Sequence, residues 1–254
     1  MPDANPYSLI LEPEGRPILE AGDLLCFHPL RNAPNKSDVT SVFKPEAENL
    51  CKFLGLDPSD HIVVFDNKRG RYTLANQIIK EIKARSPKVT AFFCHGFTHY
   101  LQAGPRSPNH PFAQPNDKKL FTQFINALVG AYDAPSLLLY ACSTGDDPDG
   151  DPDTAPGSGD DSFADTCRDR MCEAGAVYCR VMAHTNAGPA TVNPHIKFFD
   201  GQGSRFGGTG ASFLIPPTQK AAFKKLRAKL EKDPDFRFRF PFMTVSDIQA
   251  EVLG

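Results

Sequence analysis

The chain has 254 residues, enough for one large domain with a substantial core, and its 41% hydrophobic and 23% charged residues are ordinary for a soluble globular protein. A formal net charge of −2 gives no electrostatic ground for nucleic acid or an anionic membrane as a partner. No apolar run approaches the roughly 20 residues that span a bilayer, and the start, Met1 to Tyr7, has neither the basic residues nor the apolar stretch of a signal peptide. Seven scattered cysteines without zinc-ligand spacing read as reduced thiols in a cytoplasmic setting, with export by a signal-peptide-independent route left open.

In chain order, residues 1–55 form a mixed N-terminal extension. It holds a hairpin (Tyr7 to Leu11 with Asp23 to Phe27) and an amphipathic helix around Glu46 to Leu54. A regular alternation then begins. His61 to Phe65 and Val89 to Cys94 are short buried strands, separated by a helix over Tyr72 to Ala84 with Leu74, Ile78, Ile79 and Ile82 on one face. Asp117 to Ala131 is a helix, Leu137 to Ala141 a strand, Ser162 to Ala174 a helix, and Val177 to Ala183 a strand. Past Thr185 the pattern loosens into Gly201 to Gly210, a short strand at Phe213 to Ile215 and a helix over Thr218 to Lys232. In the tail, Phe236 to Met243 alternates like an edge strand, and Ser246 to Gln249 has the capping-box spacing that opens a last helix. Residues 56–215 are expected to be one catalytic domain, with 216–254 packed on it as an appendage.

Alternating strands and helices predict a mainly parallel sheet with helices on both faces. Ligands bind such sheets at the carboxyl ends of the strands. Two strands end there on reactive side chains: Phe93-Cys94-His95-Gly96 and Tyr140-Ala141-Cys142-Ser143-Thr144-Gly145. An imidazole can activate a thiol and later protonate the departing amine, provided the two meet in space. Gly96 and Gly145 would allow close backbone approach or a positive φ, and the N–H groups of Cys142 and Gly96 are candidate oxyanion donors.

Cys142 follows His95 by 47 residues (142 − 95), close to the caspase separation of roughly 50. Ala141-Cys142-Ser143-Thr144-Gly145 is similar to the Ala-Cys-x-Thr-Gly motif of the CHAT family within the caspase-like cysteine peptidases, clan CD. Cys94-His95-Gly96 resembles that family's Ala-Cys-His-Gly, and Ala174 to Val177 its next helix-to-strand turn. The resemblance covers about residues 60–185. It implies a caspase-like α/β sandwich, a Cys142–His95 dyad, and cleavage of a protein or peptide substrate through a thioester acyl-enzyme. Tyr140 stands where caspases have Gln, so a preference for Asp before the cut does not carry over.

Tyr140, Ser143 and the basic loop Asn67 to Arg71, with Arg69 and Arg71, are assigned to substrate binding. His184 ends a strand at the same edge, either lining the cleft or serving as the partner of Cys142 in place of His95. The acidic stretch Asp146 to Asp161 reads as a solvated loop, a substrate contact or a self-cleavage site. Calcium is the one cofactor it suggests, although the EF-hand order fails at Pro152. No other cofactor or metal is expected, and oligomeric state is not specified. Two rival readings stand beside the peptidase. One is an idle caspase-like binding scaffold. The other is an α/β-hydrolase esterase, suggested by His95-Gly96 but lacking the Gly-x-Ser-x-Gly elbow.

Overall fold

The structure, a computed structural model, describes residues 19–31, 42–101, 112, 118–130, 132–146, 161–205, 212–216 and 218–254. Its framework is a mixed α/β arrangement around a seven-stranded sheet. The strands are β1 (Leu24–Pro29), β2 (Ile62–Phe65), β3 (Val89–Phe93), β6 (Ser136–Tyr140), β7 (Arg180–His184), β8 (Ile196–Asp200) and β9 (Ser212–Phe213). A separate two-stranded hairpin joins β4 (Gly96–Phe97) to β5 (Tyr100–Leu101). The spatial order is β2-β1-β3-β6-β7-β8-β9. The first five run parallel, and β8 and β9 add antiparallel.

Because crossover helices must cover a parallel sheet, its interior strands are apolar on both faces. Alternation divides their side chains between two cores. Phe27, Phe92, Leu139 and Val181 face α3 (Arg71–Arg85), α4 (Lys118–Val129) and α5 (Phe163–Glu173). Cys26, Phe93, Tyr140 and Met182 face α1 (Phe43–Phe53), α6 (Lys220–Lys232), α7 (Pro234–Arg239) and α8 (Val245–Leu253). A single turn, α2 (Pro58–His61), leads into β2. Among the described residues no helix is long and apolar enough to cross a membrane.

Helix boundaries follow local chemistry. Ser162 caps α5 by accepting from the Asp165 N–H, and Gly175, at φ 108, supplies the left-handed step after it. Two expectations at the chain's ends are corrected. Leu24–Pro29 is an interior strand hydrogen-bonded to β2 and β3, so the sheet includes residues placed in an N-terminal extension. Both of its neighbours are parallel, whereas a hairpin partner would be antiparallel; Tyr7 to Leu11 lies outside the described residues.

The tail does not form an edge strand. Asp233 caps the Phe236 N–H and Pro234 opens α7, followed by a 3-10 turn at Phe240–Phe242. A spacing of two also contains i,i+4 pairs, and the chain uses those: Phe236 stacks on Phe240 at 5.7 Å, with all four phenylalanines buried. The last helix begins two residues early, since Thr244 Oγ1, not Ser246, accepts from the Asp247 N–H.

Arg180, 2% exposed, fastens this tail to the sheet. It pairs with Asp200 at 2.9 Å and donates to the carbonyls of Pro241 (3.3 Å) and Met243 (2.6 Å). Removing one member of a buried pair costs about 3–5 kcal/mol, because the other charge is stranded. Arg180→Met should therefore lower stability by about 3 kcal/mol in urea denaturation. A loss below about 1 kcal/mol would show that the tail does not depend on this anchor.

Candidate active site

β3 and β6 pair in parallel from Val89↔Ser136 to Phe93↔Tyr140. His95 and Cys142 each stand two residues beyond that last pair, so one register brings both to the same level at the carboxyl edge. They also continue the same face. Cys94 and Ala141 belong to the core under α3–α5, whereas Phe93 and Tyr140 belong to the core under α1 and α6–α8. Alternation carries His95 and Cys142 to the second side. Phe43, from that second core, meets the His95 ring edge-on at 5.2 Å and 83°. Adjacent strands lie about 4.8 Å apart, a spacing suited to proton exchange between groups on neighbouring ends.

The turn through Cys142 is tightly held. Ser143 takes φ 54, a left-handed conformation costly for a non-glycine residue. Thr144 Oγ1 donates to the Ala141 carbonyl at 3.0 Å. The Ser143 N–H donates to the Asn186 carbonyl at 3.3 Å and the Gly145 N–H to the His184 carbonyl at 2.9 Å, tying the turn to the end of β7. Ala164 of α5 donates to the Thr144 carbonyl at 2.9 Å. Among the described residues the Cys142 N–H donates to no backbone carbonyl, which suits an oxyanion donor.

Both glycines serve close approach. A Cβ on Gly96 would fall 2.6 Å from Thr144 Cγ2 and 2.7 Å from the Cys142 carbonyl oxygen, so the hairpin after His95 rests directly on the turn through Cys142. One on Gly145 would lie 3.0 Å from Ala183 Cβ. The positive φ expected of a glycine falls instead on Ser143.

All seven cysteines are free, and six are buried; Cys142 is the exception. Its Sγ lies 3.9 Å from the Gly188 carbonyl oxygen. Cys94, beside His95 in sequence, is buried on the opposite face, and burial raises its pKa well above the usual thiol range. A buried thiol held neutral is a poor nucleophile.

The other anticipated residues separate. Ser143 is half-exposed beside the thiol. Tyr140 is a core residue, not an open wall of the cleft: it is 1% exposed and stacks on Phe93 at 4.5 Å. Burial drives its phenol pKa upward, and among the described residues its hydroxyl has no hydrogen-bond partner. His184 is 1% exposed and lies edge-on to Tyr140 at 6.2 Å. Burial first, then His195, push its pKa down to about 3, so it is a neutral core imidazole near pH 7. Its carbonyl, through Gly145, meets the turn through Cys142.

Arg69 and Arg71 follow β2, which β1 separates from β3. Arg69 lies 3.9 Å from Asp66, and Arg71 sits over the Tyr72 ring at 4.7 Å. Residues 147–160 of the acidic stretch, the segment that suggests calcium, lie outside the described residues. Among those described, no group of three or more His, Cys, Asp or Glu is placed to hold a metal ion.

Met182 to Gly188, expected to line the cleft, runs from β7 into the β7–β8 loop, and what sequence reading missed in that loop is Asn193. Asn193, 1% exposed, donates through Nδ2 to the Asn186 carbonyl at 3.2 Å and accepts from the His195 N–H at 3.1 Å. Gly188 leaves room for that amide, which would stand 2.7 Å from an added Cβ. The turn formers Asn193-Pro194 were the only local signal.

Searches against family models, curated proteins and solved structures each found no match.

In folded protein, iodoacetamide should label Cys142 at least about tenfold faster than any other cysteine, with all seven reacting once the chain is unfolded. Peptide mass spectrometry reads this directly, and equal labelling would contradict the burial pattern. A second outcome concerns acid. Unfolded His184 titrates near pH 6.5 and folded His184 near 3, so the unfolded chain binds the extra proton between them. Its contribution therefore makes stability fall as pH drops from about 6.5 toward 3. His184→Gln should flatten the acid slope of urea midpoints between about pH 7 and 4; an unchanged slope would exclude His184 as its source.

Proposed function

We propose that this protein is a cysteine endopeptidase of the caspase-like type, with Cys142 as nucleophile and His95 as general acid and base. The shared register carries the reading: the Phe93↔Tyr140 pairing brings to one level and one face an imidazole and the chain's one thiol that is not buried. The mainly parallel sheet with helices on both faces is the architecture that the Ala141-to-Gly145 and Cys94-to-Gly96 resemblances imply.

His95 would take the Cys142 proton as the sulfur attacks a peptide carbonyl carbon. The N–H groups of Cys142 and Gly96 would receive the developing oxyanion. His95 would then return the proton to the departing amine, leaving a thioester on Cys142. Deprotonated by the same imidazole, water would cleave that thioester and regenerate the thiol. The rigid turn through Ser143 and the hairpin seated on it favour this scheme, because they fix the oxyanion donors before substrate arrives.

Against a mixed-sequence peptide library, the protein should release new amino termini. Cys142→Ala should abolish release, and His95→Ala should slow it by about 100-fold or more. Release unchanged in Cys142→Ala, or no release by the parent protein, would defeat the peptidase reading.

A further inference from the structure

We infer that the first turn of α1 is a clamp that sets the dyad geometry, with Phe43 and Glu46 as positioning residues. The inference rests on the peptidase reading and adds a feature that the Cys142 and His95 motifs do not contain. Phe43 and Glu46 are three residues apart, so they share the helix face that looks onto the sheet. One grips the base. Phe43 opens α1, is 7% exposed, and meets the His95 imidazole in a T-shaped contact at 5.2 Å. That contact restricts rotation of a ring which must present one nitrogen toward Cys142.

Glu46 grips the other half. Its Oε2 accepts from Thr191 Oγ1, fixing the β7–β8 loop to the helix. That loop places the Gly188 carbonyl 3.9 Å from Cys142 Sγ, and its Asn186 carbonyl accepts from the Ser143 N–H. Asn193 stiffens it from within by bonding the same Asn186 carbonyl and the His195 N–H. Base and nucleophile lie on separate strand ends, so their relative placement depends on what spans the two. α1 spans them: Phe43 reaches the β3 end, and Glu46 reaches the loop holding the β6 end.

The test measures Cys142 alkylation by iodoacetamide against pH in the full chain, with circular dichroism to verify folding. Phe43→Ala and Thr191→Val should each slow alkylation at neutral pH about tenfold and move its pH profile toward that of an unassisted thiol. Thr191→Ser, which keeps the hydroxyl, and Phe43→Tyr, which keeps the ring edge, should restore the parent profile. In a His95→Ala background, Phe43→Ala should add nothing, since its effect runs through the imidazole. If Phe43→Ala does not fold, Phe43→Leu replaces it, filling the space without an aromatic edge. A parent-like profile in folded Phe43→Ala or Phe43→Leu, or full additivity with His95→Ala, overturns the clamp. If His95→Ala itself alkylates at the parent rate, the dyad fails and the clamp with it. If only the α1 and loop variants are silent, the dyad stands alone.

Discussion

Everything at the carboxyl edge depends on the parallel register between β3 and β6. Five adjoining residue pairs, from Val89↔Ser136 to Phe93↔Tyr140, hold it, and both strands are buried throughout. A slip of one residue would send every side chain of one strand to the opposite face. It would turn Cys142 toward α3–α5 while His95 still faced α1. Burial on two sides makes that slip costly, so the same packing that stabilises the sheet also orients the candidate dyad.

The turn through Cys142 and the hairpin after His95 extend that constraint into the loops. Gly96 lies against Ala141, Cys142 and Thr144 so closely that a methyl group would force them apart. Two hydrogen bonds link the Cys142 turn to the segment at and just after the end of β7, and one joins it to α5. The β7–β8 loop in turn reaches α1 through Thr191 and Glu46. Elements far apart in sequence thus meet and hydrogen-bond at one sheet edge. Such pre-organisation is what oxyanion and acid–base chemistry needs, because donors aligned before the reaction require no reorganisation during it.

Much of the fold was legible in the residues. The helices at Arg71–Arg85, Lys118–Val129 and Phe163–Glu173 matched their expected spans to within two residues at either end, since apolar periodicity and a capping serine speak locally. Strand β8 was not read. It runs into a glycine-rich stretch without a following helix, and its place is set by antiparallel pairing with β7. The phenylalanine tail misled because a period of two is compatible with i,i+4 contacts, and only the Asp233 cap with Pro234 selects the helix. Among site residues, Tyr140 and His184 sit at strand ends, positions that a linear reading takes as open. They are buried because α1 and the C-terminal helices cover that face.

The sequence by itself determined the order of His95 and Cys142 and the strand ends that carry them, because these follow from residue identity and short-range periodicity. It also marked the two glycines as points of close approach. The tertiary structure alone decided which groups are open and which are sealed. Cys142 is reachable while six other thiols are not, and His95 lies against Phe43 while His184 is a neutral core imidazole. Burial and register are properties of strands and helices distant in the chain, so no local pattern around Cys142 or His95 encodes them.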